Sequence, residues 1–142
     1  MSSFDINEYP NIREKEMAMI EVAENPSRGP YIFYVFYHEL KSIYDITDKF
    51  LILDSVANGG NIDMFKFMLK EITVSQFIEL GENEKKIEMQ RVIKTIINKS
   101  HKDLLNELFN FLNESNININ DYLINSYTFT MKEKLDNWIK NK

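Results

Sequence analysis

"LDSVANGGNIDMFKFMLKE", residues 53–71, carries the pattern that decides the fold. Small and apolar residues run up to Gly59-Gly60, a pair that ends a helix because glycine enters left-handed backbone with little steric penalty. Immediately beyond, Ile62, Phe65, Met68 and Leu69 recur at the spacing of a second buried helical face. Two helices joined by so tight a turn make an antiparallel hairpin.

The rest of the chain repeats this punctuation. Asn11 with Glu14, Thr73 with Gln76 and Thr130 with Glu133 have capping-box spacing, in which a polar side chain satisfies backbone donors of the first turn. Asn25-Pro26, Gly59-Gly60 and Gly81 stop helices. The predicted helices run over roughly 12–24, 30–45, 48–58, 62–71, 74–80, 84–99, 102–113, 119–127 and 131–140. Residues 1–10 read as a flexible or extended N-terminal segment, and "NININDY", residues 116–122, as a loop, since asparagine is a poor strand former. The expected fold class is all-α: stacked antiparallel helical hairpins in a single compact domain.

One stretch admits two readings. In "GPYIFYVFYHELKSIYDI", residues 29–46, Tyr31 to Tyr37 form an unbroken apolar run whose period alone does not separate helix from strand. Pro30 suits a first helical position, and Ile32, Val35, Phe36, Leu40 and Ile43 then share one face, with Phe33, Tyr37 and Tyr44 on another. The helix is therefore the expected form. Core packing and an aromatic docking patch built on Tyr34, Tyr37 and Tyr44 both remain open, because tyrosine joins apolar area to a polar tip.

Composition narrows the class. With 142 residues, 44% hydrophobic, and only four glycines and three prolines, the chain suits one packed helical core. No cysteine is present, which removes disulfides and thiolate chemistry and fits a reducing compartment. The absence of a long apolar run and the acidic start predict a cytoplasmic protein with no membrane partner. Charge is uneven: residues 1–48 hold nine Asp and Glu against four Lys and Arg, whereas the remainder is balanced. Glu14, Glu16, Glu21 and Glu24 make the first helix an acidic surface suited to a basic partner.

Motifs for chemistry are missing. "HELK" at His38 lacks the second histidine of a helical zinc site, and "GENEKK" lacks the second glycine and the Gly-Lys-Ser/Thr ending of a P-loop. No Gly-x-Ser-x-Gly turn presents a serine nucleophile. Glu84 and Glu88 are interleaved with lysines, as solvated helical pairs are. The expectation is therefore no catalytic residue, no metal and no cofactor. Lys85, Lys86, Arg91, Lys94, Lys99 and Lys102 make the middle locally basic, but no aromatic residues interleave with them to stack on bases, so nucleic acid is not the expected partner.

Val56, Ala57, Gly60, Ile62, Asp63, Lys66 and Leu69 resemble, without a gap, the middle of an ankyrin repeat. There a first helix ends in an Asn-Gly type turn, and the second begins with a hydrophobic residue and an acid. Residues 93–120 resemble it more faintly, with His101 as a turn histidine; neither copy has the Thr-Pro-Leu-His start. The resemblance implies stacked hairpins whose open surface binds other proteins, and a generic array of helix pairs implies the same. The functional expectation is a non-enzymatic interaction module. It is an acidic inhibitor or antagonist of immunity, antitoxin or viral type that occludes a partner protein. The alternative is a structural component of a larger assembly such as a viral particle, including a homo-oligomer.

Overall fold

Polar caps open the helices in turn. In the computed structural model, which describes residues 11–114, 116–117 and 129–140, the Asn11 side chain accepts the Glu14 N–H at 2.7 Å and starts α1 (Ile12–Glu24). After a 3-10 turn, Pro26–Arg28, Pro30 starts α2 (Pro30–Leu40), and a second 3-10 turn, Lys41–Ile43, leads onward. Asp45 and Asp48 cap each other's backbone N–H groups at 3.2 and 2.8 Å, opening α3 (Ile46–Gly59). Asn61 accepts the Met64 N–H at 3.0 Å and opens α4 (Ile62–Ile72). Thr73 accepts the Gln76 N–H at 3.3 Å and opens the short α5 (Val74–Ile78). Then follow α6 (Glu82–Lys99), α7 (Lys102–Asn113) and α8 (Phe129–Lys140). No strand occurs among the described residues.

The elements pair into three hairpins, α1–α2, α3–α4 and α6–α7, stacked side by side. The first helices form one layer, with α3 packed on both α1 and α6, and α8 continues that layer against α6. The second helices form the other layer. There α4 packs on α7, and α2 meets α4 through rings, Tyr34 and Tyr37 lying edge-on to Phe67 at 5.1 and 5.5 Å between centroids. One hydrophobic core threads all the hairpins, from Met19 through Phe33, Leu53, Phe65, Val92 and Leu104 to Leu135.

The turns also stack. A Cβ on Gly59 would fall 2.0 Å from the Ala23 carbonyl oxygen, so the end of α3 lies directly on the end of α1. Gly60, at φ +79°, takes the left-handed C-cap, and a Cβ there would meet the His101 ring at 2.5 Å. Ser100 fills the same role after α6 at φ +60°. Lys134 of α8 then donates to the Ser100 hydroxyl at 2.6 Å and the Ile97 carbonyl at 3.4 Å, carrying the column one helix further.

Several sequence expectations shift here. The helix over 30–45 ends at Leu40, and the next begins at Ile46 rather than 48, because Asp45 and Asp48 form a cap with aspartate in the place of glutamate. Val35 and Ile43, expected inside, are 38% and 53% exposed, while Phe33, Phe36, Tyr37 and Leu40 are buried. The 3-10 turn rotates the chain after Leu40, so Ile43 leaves the face that helical spacing assigns it. The predicted N-terminal segment over 1–10 and the helix over 119–127 lie outside the described residues, and Thr130, expected to cap the last helix, is already inside α8.

Candidate functional site

The helix α1 carries the acidic residues picked out in sequence, and packing sorts them. Glu14, Glu21 and Glu24 are exposed, with Glu21 paired to Arg28. Glu16 is half-buried and accepts the Tyr44 hydroxyl at 3.0 Å, which ties α1 to the chain before α3. Lys15 turns away to pair with Glu39 on α2. A shallow depression of about 640 Å³ is lined along α1 by Glu14, Met17, Ala18, Ile20, Glu21 and Glu24.

The three tyrosines are not a common surface. Tyr37 is fully buried, stacked on Phe33 at 6.0 Å and on Tyr44 at 6.2 Å, so it is no docking residue. Tyr34 and Tyr44 are half-buried in the same ring cluster. Burial, with the Glu71 carboxylate next, holds the Tyr37 phenol far above its ordinary value; burial and then the Glu16 hydrogen bond do the same for Tyr44. The Glu71 carboxylate lies near the Tyr37 hydroxyl, but by distance and angle that hydroxyl completes no hydrogen bond among the described residues. A buried hydroxyl left in that state costs about 1–3 kcal/mol. Tyr37→Phe is therefore expected to raise stability by about 1 kcal/mol in urea melts, and a loss of stability would mean that the hydroxyl is satisfied.

Between α3 and α6 lies a seam, and Glu88, expected in a solvated helical pair, is buried there because α6 packs that face on α3. There Thr95 donates to Asp54 at 2.6 Å, and Arg91 pairs with the buried Glu88 at 3.3 Å. Arg91, expected on a basic face, is thus engaged with its own helix. Burial raises the Asp54 and Glu88 carboxyls above their ordinary values, while Arg91, joined at Asp54 by the Thr95 hydrogen bond, pulls the other way. Two partly desolvated carboxylates share one guanidinium.

A raised folded-state value means that the native protein holds these protons more tightly than the unfolded chain. The contribution of Asp54 to stability is then greatest below its ordinary 3.8 and is lost as pH rises through the higher folded value. Asp54→Asn keeps an acceptor for Thr95 and removes the charge. Its stability relative to the parent is expected to increase from pH 3.5 to pH 7, measured by urea denaturation at both; a flat difference would show no such penalty.

Exposed apolar residues within the helices of the first-helix layer complete the site. Met17 on α1, Leu51 on α3 and Ile87 on α6 are 61%, 49% and 55% exposed. Each is the sixth residue of its helix. Helical geometry places all three opposite the buried faces formed by Met19 and Ala23, Leu53 and Ala57, and Met89 and Ile93. Nothing in the sequence pattern marks them, because an apolar residue at helical spacing is ordinarily read as core. Their exposure shows only once the helices on either side of each are known.

A second depression of about 530 Å³ lies between α4 and α7, lined by Lys66, Leu69, Lys70, Glu107 and Phe111 among others, with both charge signs balanced. Among the described residues no group of three or more His, Asp or Glu could hold a metal, and no helix is long and apolar enough to cross a membrane. No family model matches the chain, and no curated protein or solved structure shows significant similarity to it.

Proposed function

We propose that this chain is a non-enzymatic protein-binding module, a small acidic antagonist that covers a basic site on a partner protein. The observation that carries this reading is the outer face of the α1, α3 and α6 layer, where Met17, Leu51 and Ile87 stand exposed beside Glu14, Glu24 and Glu84. Exposed apolar residues beside the acids of α1 suit a surface that gains affinity from burial and association rate from steering. The ankyrin-type reading of the hairpins belongs to the same proposal. It is supported by the first-helix starts at Ile12, Ile46 and Glu82, 34 and 36 residues apart against about 33 in that family, and by the stacked turns.

The test replaces Glu14, Glu21 and Glu24 with glutamine. These side chains are exposed, so stability should change by less than about 1 kcal/mol. Association with the partner isolated on the parent chain should slow about tenfold at low salt and converge with the parent at high salt. An unchanged rate removes the steering role. Self-assembly is the second reading, favoured by exposed Ile12 and Val35 on the first hairpin, whose main packing among the described residues is on its α3–α4 side. A monomer by sedimentation at micromolar concentration counts against it.

A further inference from the structure

We propose that the seam between α3 and α6 is a proton-responsive joint. With a proton taken up there, the third hairpin and α8 are held tightly to the first two; with the seam fully ionised, α6, α7 and α8 part from α1–α4 more readily, as one unit. The junction on the other side of α3 is built differently. There a Cβ on Gly59 would fall 2.0 Å from the Ala23 carbonyl oxygen, and α2 meets α4 through the rings of Tyr34, Tyr37 and Phe67. Close packing of that kind does not respond to protons. Between α3 and α6, by contrast, Thr95 donates to Asp54 at 2.6 Å, and Arg91 stands 3.3 Å from Glu88, which is 5% exposed. Two carboxylates face one guanidinium, so the ionised seam keeps one negative charge without a counter-charge where water is largely excluded. A single proton removes it.

Burial, which raises both carboxyls above their ordinary 3.8 and 4.5, is the same imbalance seen from the side of the proton. The closed joint binds a proton that the parted one releases, so closure is favoured most below those ordinary values and weakens as pH rises through the higher folded ones. The charged groups acting on the pair are Arg91 and, at Glu88, Glu84 of the same helix; among the described residues none from α1, α4, α7 or α8 does so. Two other titratable groups stand at this junction: His101, whose ring packs on Gly60, and Glu107, paired with Lys66 at 3.8 Å. Parting as a unit follows from connectivity. Both α7 and α8 pack on α6, so the three stay together when the seam opens. On the other layer, α4 and α7 leave the depression of about 530 Å³ on their outer side, and the partly exposed Lys66–Glu107 pair beside it adds little. The chain passes from one part to the other through residues 79–81, where a Cβ on Gly81 would have only the Glu84 side chain within 4 Å, so this crossing has room to bend.

The experiment is native-state amide exchange of the whole chain, read by mass spectrometry at pH 4 and pH 7, with each rate divided by that of the unstructured peptide at the same pH. Protection of α6 and α7 relative to α4 is expected to be about tenfold greater at pH 4. Asp54→Asn keeps an acceptor for Thr95 and leaves Arg91 a single carboxylate. In that variant the ratio at pH 7 should rise to the parent's value at pH 4 and then change less than about twofold with pH. Arg91→Gln, which removes the shared cation, should lower the ratio at pH 7 below the parent's. A ratio in the parent that is the same at both pH values overturns the joint, and so does protection lost equally by α4 and α6, which is global unfolding. A pH dependence that survives Asp54→Asn belongs to His101 or Glu107 and overturns it as well.

Discussion

Gly59→Ala is expected to lower stability by about 3 kcal/mol, far more than the same change in an ordinary helix. The added methyl would sit 2.0 Å from the Ala23 carbonyl oxygen and about 3.1 Å from the Pro26 ring, and the first of these is backbone that cannot rotate away. Either the first hairpin moves off the second or the last turn of α3 opens, and both expose Ala23 and Ala57, which are fully buried. Alanine is the better helix former by about 1 kcal/mol, so propensity alone predicts the opposite sign. A urea melt therefore decides cleanly: a gain in stability would place the first two turns further apart than described.

Leu53→Asp should have the larger effect and leave the folded state unpopulated at neutral pH. Leu53 is fully buried on α3, the helix that packs against α1, α4 and α6. Losing its packing costs about 2–5 kcal/mol, and an unpaired buried carboxylate adds about 3–5 kcal/mol. Together these reach the whole stability of a typical domain, about 5–15 kcal/mol. Far-UV circular dichroism should show the helical signal gone. Leu69→Asp is the informative comparison. Leu69 is buried in the core, as helical spacing ranks it, but it also lines the lip of the α4–α7 depression, beside Lys66 and Lys70. A carboxylate there reaches water and two ammonium groups, so that variant should stay folded with a loss of about 2–3 kcal/mol. Equal behaviour of the two would contradict the placement of α3 at the centre.

Helices were legible because their ends carry chemistry. Asn11, Thr73, Gly59 and Gly60 act at turns and caps where local physics dictates them, and the boundaries at 12–24 and 102–113 coincide with α1 and α7. The Asp45–Asp48 cap was missed because aspartate is common on any surface and signals a cap only when its geometry is seen. The face of α2 was misjudged for a different reason. In Tyr31 to Tyr37 every residue is apolar, so the run has no phase, and only contact with Phe67 across the hairpin boundary selects Phe33 and Tyr37 as the inside. The acidic side of the candidate site was readable from Glu14, Glu21 and Glu24. Its apolar part was not, since exposure of Met17, Leu51 and Ile87 depends on which helices stand beside them. Asp54 and Thr95 meet across 41 residues of chain, and no local pattern records that meeting.

Packing in this protein joins helices that are close neighbours along the chain: α1 with α2 and α3, α3 with α4 and α6, α6 with α7 and α8. Assembly can then proceed by zipping, each hairpin closing a short loop before the next is added, which belongs to the fast, low-contact-order end of folding kinetics. Fraying follows the same path in reverse. Amide exchange should be fastest in α8, held on α6 with Lys134 as its tie, and slowest in α3, which cannot open without releasing a neighbour on either side.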